Sequence, residues 1–200
     1  MENIVAIQGI LRSIEDVTEV NGMAFSGSRA AVITTRQSGR EDEAIVLIKD
    51  ELIAGKQLQT DKPVMLTGAM QTHKNYHTGK VQVYVLADFI EQITGKGWEQ
   101  ENEVRIKGTL ALGLKYRQTP KGKNITNMFV KVPCIERDLD CFIPCICWGS
   151  RAIEAADYVE GEAVALVGRL QSREYIKRLD DGTTETRICY EVSANEVERI

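Results

Sequence analysis

Apolar residues recur at every second position through most of this chain, and the rhythm is clearest in its second half. Val104, Ile106, Leu110, Leu112 and Leu114 alternate with Arg105, Lys107 and Thr109, the pattern of a strand with one buried face. Residues 127–132, 141–148, 163–175 and 186–192 continue it. One stretch breaks the period. Residues 150–159 open on Ser150, place apolar residues at helical spacing and are closed by Gly161, which predicts a helix. Turn chemistry agrees with these limits: Pro120 takes the second position of Thr119-Pro120-Lys121-Gly122, and Asp181-Gly182 is a hairpin dipeptide. The predicted order is β-β-β-α-β-β.

The same pattern occurs earlier in the chain, about one hundred residues upstream. Residues 2–11 match residues 101–110 at their apolar positions, and Gly9 aligns with Gly108. Gly22 corresponds to Gly122, residues 64–71 to 164–171 with Gly68 on Gly168, and residues 89–93 to 196–200. Matches in one order describe a duplication, with small length changes left to loops, where they cost little. Residues 94–100, Thr-Gly-Lys-Gly-Trp-Glu-Gln, read as a linker, so the expected units are residues 1–93 and 101–200. Five strands with a helix between the third and fourth is the OB-fold order, a five-stranded Greek-key barrel. Glycines midway along strands, Gly108 and Gly168, permit the sharp bends that such a barrel needs. The expected fold class is therefore all-β with short helices, two OB-folds in tandem; another small barrel or a sandwich shares the bare pattern.

Composition narrows the function. Hydrophobic residues at 43% and charged ones at 27% suit a chain with real cores. The longest apolar run, residues 142–148, is strand-sized and far below the roughly 18 residues of a membrane span. The start carries Glu2 instead of a basic segment and has no small-residue cleavage site, so no signal peptide is expected. Five cysteines, all after residue 130, make a poor disulfide framework and point to a reducing cytoplasm. A net charge of −4 and a pI near 5.4 mean that any nucleic-acid binding must come from a local basic face.

The second unit resembles the bacterial single-stranded-DNA-binding protein family. The resemblance lies in residues 104–110, in Tyr116-Arg117-Gln118-Thr119-Pro120-Lys121-Gly122, in residues 142–152, in residues 158–161 and 167–175, and in Asp181-Gly182. The first unit resembles it through its repeat, as a diverged copy, and primosomal replication proteins share the fold. The resemblance implies base stacking on Phe142, Trp148 and Tyr175 and phosphate contacts from Arg117 and Arg173. A fourth aromatic, expected near Glu136, is missing from that part of the sequence. It further implies that a homodimer of this chain would assemble four OB-folds, as single-domain members do as tetramers. Many cellular members end in an acidic tail that recruits replication enzymes. This sequence stops at Ile200, so recruitment of replication proteins by that route is not expected.

The residues speak for the same chemistry by themselves. Alternation puts Phe142, Ile146 and Trp148 on one face of their strand and Cys141, Cys145 and Cys147 on the other. Exposed aromatics stack on any base, because every base has a π face; the competing reading packs Trp148 beneath the helix. Tyr175 follows Arg169 and Arg173 and precedes Lys177, either a stacking and phosphate track or a solvated hairpin. Lys115, Arg117, Lys121 and Lys123 on the first hairpin are further candidate phosphate contacts, as are Arg105 and Lys107 on the first strand. In the first unit, Tyr76 near Lys74 and Lys80 parallels Tyr175. Residues 44–49 there lack aromatics, and Glu41, Asp42 and Glu43 would repel phosphate, so residues 1–93 are expected to bind weakly and to support assembly.

Other chemistry is not expected. His73 and His77 flank a hairpin, and Cys134, Cys141, Cys145 and Cys147 lack the paired C-x2-C knuckle of zinc sites. No Walker-type loop or nucleophile grouping is evident, so neither metal, cofactor nor catalysis is called for. Two functions remain: a sequence-tolerant binder of single-stranded DNA, with RNA a variant that stacking also admits, or a non-catalytic scaffold for replication proteins.

Overall fold

The computed structural model describes residues 2–135, 137–179 and 181–200, with the side chain of Leu112 left outside the description. Glu136, the place of the missing aromatic, is thus outside the described residues. The first half forms β1 (Glu2–Val20), β2 (Met23–Thr35), β3 (Glu41–Lys49), α1 (Asp50–Ile53), β4 (Pro63–Lys74) and β5 (Val81–Gln92). The second repeats the order: β6 (Glu101–Gln118), β7 (Asn124–Pro133), β8 (Asp140–Trp148), α2 (Ser150–Ala155), β9 (Ala163–Arg178) and β10 (Thr184–Arg199). Each half closes on itself, through β1-β2-β3-β5-β4-β1 and β6-β7-β8-β10-β9-β6, with β3–β5 and β8–β10 parallel and the other pairs antiparallel. These are the two OB-fold barrels that the alternation predicted. Among the described residues no helix is long and apolar enough to cross a membrane.

The inward phase of each strand supplies the core. Val5, Ile7 and Leu11 on β1 correspond to Val104, Ile106 and Leu110 on β6, all buried. Cys141, Ile143, Cys145 and Cys147 fill the second barrel, where small apolar thiols suit the narrowing interior. Four glycines sit where strands press together. A Cβ at Gly9, Gly68, Gly108 or Gly168 would lie 2.5, 2.3, 2.4 or 2.3 Å from the carbonyl oxygen of Ile33, Leu86, Lys131 or Ser193. The repeat of these glycines therefore records a steric need of barrel closure.

Two local expectations change. The helix over residues 150–159 is shorter, because after Ala155 the chain tightens: Asp157 N–H donates to Glu154 O and Tyr158 N–H to Ala155 O, each at 3.3 Å. That tightening drops Tyr158 into the core. The helix is also entered through Gly149, at φ 63°, with no side-chain cap from Ser150.

The barrels are zipped edge to edge. β1 pairs antiparallel with β6, and Val5 lies opposite its own repeat, Val104. On either side the Lys107–Glu2 ion pair at 3.1 Å mirrors the hydrogen bond from Gln8 Nε2 to Glu101 at 2.9 Å. The two halves are thus related by an approximate twofold through that pair. A repeated side-chain device locks each barrel: Asn3 exchanges hydrogen bonds with the Met70 backbone at 2.8 and 3.0 Å, and Asn102 does the same with Leu170 at 2.8 Å.

Candidate nucleic-acid interface

Strand register assembles the outer face of the second barrel. Lys115 lies beside Asn127, then Ile146, Ser193 and Arg169 in one row across β6, β7, β8, β10 and β9. The next row runs Arg117, Ile125, Trp148, and the others pair Phe129 with Pro144 and Lys131 with Phe142. A register shift around Gly113, at φ 108°, bends β6 yet keeps Lys115 and Arg117 on this face. Phe142, Phe129 and Trp148 are 46, 40 and 39% exposed, a large aromatic surface for one face of a small barrel. Phe142 and Trp148, at opposite ends of β8, stand about 20 Å apart along the strand. Trp148 lies in the open instead of beneath the helix. Ile146, expected beside them, is buried.

The cations divide. Among the described residues Lys115, Arg117, Lys121, Lys123 and Lys177 take part in no ion pair. Arg173 is held by Glu191 at 2.7 Å and lies 6.0 Å from the centre of the Tyr175 ring, an aromatic 38% exposed beyond the barrel rim. Arg105 and Lys107 belong elsewhere. They stand on the outer face of β6 where it meets β1, in ion pairs with Glu103 at 2.7 Å and Glu2 at 3.1 Å. The register sets them apart from Phe129, Phe142 and Trp148, on the strand shared by the two barrels. Arg105→Gln and Lys107→Gln are accordingly expected to change single-strand affinity less than twofold, about the spread of surface substitutions; anisotropy titrations with labelled oligo(dT) check this.

The first barrel carries the corresponding face in a sealed form. Where β8 has Phe142, Pro144, Ile146 and Trp148, β3 has Glu43, Ile45, Leu47 and Lys49. Ile45 and Leu47 are buried with Tyr84 and Leu86 under Val20 and Phe25 of the β1–β2 hairpin, and Tyr190 of the second barrel packs against the same cluster. The hairpin tip is tied down by Asn21 Nδ2 donating to His73 O at 2.9 Å and Asn75 Nδ2 donating to Asn21 O at 3.0 Å. Tyr76, 79% exposed in the β4–β5 turn, lies outside that cluster.

The acidic run Glu41–Asp42–Glu43 is also not free to repel phosphate. Glu41 pairs with Arg12 at 3.2 Å, Asp42 is buried against Arg36 at 2.5 Å, and Glu43 accepts from the Tyr190 hydroxyl at 2.5 Å. What denies the first barrel a stacking face is apolar cover, not charge.

Sequence reading missed Phe129 and Arg151. Phe129 sits in an apolar stretch, but its phase between buried Met128 and Val130 puts it outside. Arg151 lies one residue into α2 and lines the same clefts as Trp148. The thiols have a structural place: burial pushes Cys145 well up and Cys147 up to about 11, so both stay protonated and unreactive. His73 Nδ1 lies 2.6 Å from Arg137, and burial with that guanidinium lowers its pKa. Among the described residues no three His, Cys, Asp or Glu side chains group as a metal set.

Residues 101–200 match the model of the single-strand binding protein family. The whole fold is similar to the crystal structure of the wild-type single-stranded DNA binding protein from Thermus aquaticus, with a TM-score of 0.75 and 21% identity, covering 100% of this chain and 93% of that one. A deletion mutant of the same Thermus aquaticus protein gives a TM-score of 0.73 at 21% identity, covering 100% and 94%. Among curated proteins no sequence matches. At this identity the structural likeness speaks for the fold.

Proposed function

This chain belongs to the single-strand binding protein family and binds single-stranded DNA, and we propose that it does so mainly through the outer face of β6–β10. Bases stack on Phe129, Phe142, Trp148 and Tyr175, while Lys115, Arg117, Lys121, Lys123, Arg169, Arg173 and Lys177 follow the phosphates. The observation that carries this is the set of exposed aromatics on neighbouring strands, flanked by cations that are unpaired among the described residues, in a chain whose net charge is −4. Stacking reads no sequence, so the role is tolerant coverage and protection of strands in replication, recombination or repair, without catalysis. RNA enters by the same chemistry. A reducing cytoplasm suits the buried free thiols.

We read residues 1–93 and 101–200 as two domains joined by residues 94–100, the first a supporting one. Tyr76→Ala is then expected to cost far less affinity than Tyr175→Ala; equal losses in the same titration would remove this asymmetry. We propose a seat for a second copy of the chain as well. The joined strands β5-β4-β1-β6-β9-β10 present Ile4, Met65 and Phe89 outward, exposed apolar residues rimmed by Arg105, Lys107 and glutamates. An isologous dimer through this sheet would gather four barrels. Partners among replication proteins would have to use surfaces other than this sheet and the stacking face.

The direct test is tryptophan fluorescence of the chain titrated with poly(dT) at low and high salt, beside anisotropy of labelled DNA. Saturable quenching that weakens with salt is expected, and it persists in Trp98→Phe, which isolates Trp148. Flat anisotropy at low salt would end the strand-binding reading and leave the scaffold.

A further inference from the structure

The cleft beside Trp148 holds more positive charge than its carboxylate neutralises. It is lined by Arg36 of the first barrel and by Lys123, Arg151, Arg169 and Gln171 of the second. An adjoining concavity shares Lys123, Trp148 and Arg151 and runs on past Gly122 to the tip of the β6–β7 hairpin. Asp42 answers these cations from the first barrel. Arg36 donates Nε and Nη2 to its carboxylate at 2.6 and 2.5 Å, and the Ser172 N–H donates to it at 3.0 Å. Arg169 reaches the same carboxylate only at 3.7 Å, and its Nε is buried without a hydrogen-bond partner among the described residues. Two guanidiniums thus share one carboxylate. Burial first, then repulsion from Arg36, lower the pKa of Arg169. Lys123 and Arg151 add two charges that, among the described residues, enter no ion pair.

An orphaned guanidinium nitrogen beside an exposed indole asks for an anion attached to a flat ring. We infer that this cleft is a phosphate site for the DNA backbone, formed by Lys123, Arg151 and Arg169 and completed across the barrel junction by Arg36. The inference rests on the strand-binding reading above. Guanidiniums suit it because they offer phosphate a fixed fork of donors. Asp42 then has a double office: it holds two like charges close together in the empty cleft, and it yields part of their field when the phosphate arrives. The first barrel, although its own stacking face is sealed, lends the second a cation.

The test follows oligo(dT) affinity against salt in the full chain. Removing one cation that neutralises a phosphate should flatten the log–log slope by about 0.7, the single-strand value. Arg151→Gln and Arg169→Gln are each expected to show this, with affinity down roughly three- to tenfold at moderate salt. Arg199→Gln, an arginine paired with Glu162, should leave slope and affinity in place. Asp42→Asn, which unmasks both arginines, should bind more tightly and more steeply, and adding Arg36→Gln to it should remove that gain. If Arg151→Gln and Arg169→Gln bind with the wild-type slope, the cleft is not a phosphate site. If Asp42→Asn and the double variant share one slope, Arg36 takes no part. A wild-type chain that fails to bind at all would instead remove the strand-binding reading itself.

Discussion

Replacing Trp148 by alanine is expected to weaken poly(dT) binding by about 5- to 150-fold, the range given by roughly 1–3 kcal/mol of stacking per base. Three features put this position at the upper end. Its indole is accessible and so ready for a base without rearrangement. It lines one cleft with Lys123 and Arg151, so a stacked nucleotide also meets cations. It is paired across the sheet with buried Ile125, which gives the ring a firm back. Truncation should lower the melting temperature only modestly, because the ring covers Ile125 on the outer face and takes no part in the barrel interior. Trp148→Phe should keep most of the affinity, since it preserves a π face. Loss of affinity in Trp148→Ala together with a large fall in melting temperature would instead make the ring a packing residue. Phe142→Ala should behave similarly but more weakly, since Lys131 beside it is already engaged by Asp140 at 3.5 Å.

Much of this was legible in the alternation of residues. The period of two located the strands of the second barrel, and the phase of β8 separated Phe142 and Trp148 from Cys141, Cys145 and Cys147, because a strand's two faces are fixed by its pleat. The repeat carried the fold to the first half even where side chains had diverged. Long-range partners were not legible. Arg105 and Lys107 look as available as Lys115 and Arg117 in the sequence, but β1–β6 pairing brings Glu2 to Lys107, while Arg105 turns to Glu103, two residues before it on the same face of β6. Asp42 reads as a repelling acid in an exposed run, whereas tertiary structure buries it against Arg36 and the Ser172 backbone. The sealing of the first barrel was likewise hidden. It depends on the β1–β2 hairpin folding Val20 and Phe25 over Ile45 and Leu47, an arrangement that no local pattern encodes.

Stability should be most sensitive where the repeated glycines let strands touch. Gly168→Ala is expected to cost roughly 3 kcal/mol, read as a lower urea midpoint at unchanged slope. The reason is geometric. The new methyl would fall 2.3 Å from Ser193 O and 2.9 Å from the Cα of Ala194, both backbone atoms, so no side chain can turn away to make room. β9 would have to lift from β10 where β6 also pairs with it, at Val104 opposite Gly168. Gly68→Ala, which meets Leu86 O at 2.3 Å, should cost a similar amount in the first barrel. Gly95→Ala is the contrast: nothing lies within 4 Å of its Cβ position, and its backbone φ is not among the positive ones, so stability should hold or rise slightly. Should Gly168→Ala prove as harmless as Gly95→Ala, then the glycine repeat would mark ancestry alone, and the close approach of β9 to β10 would not be what closes the barrel.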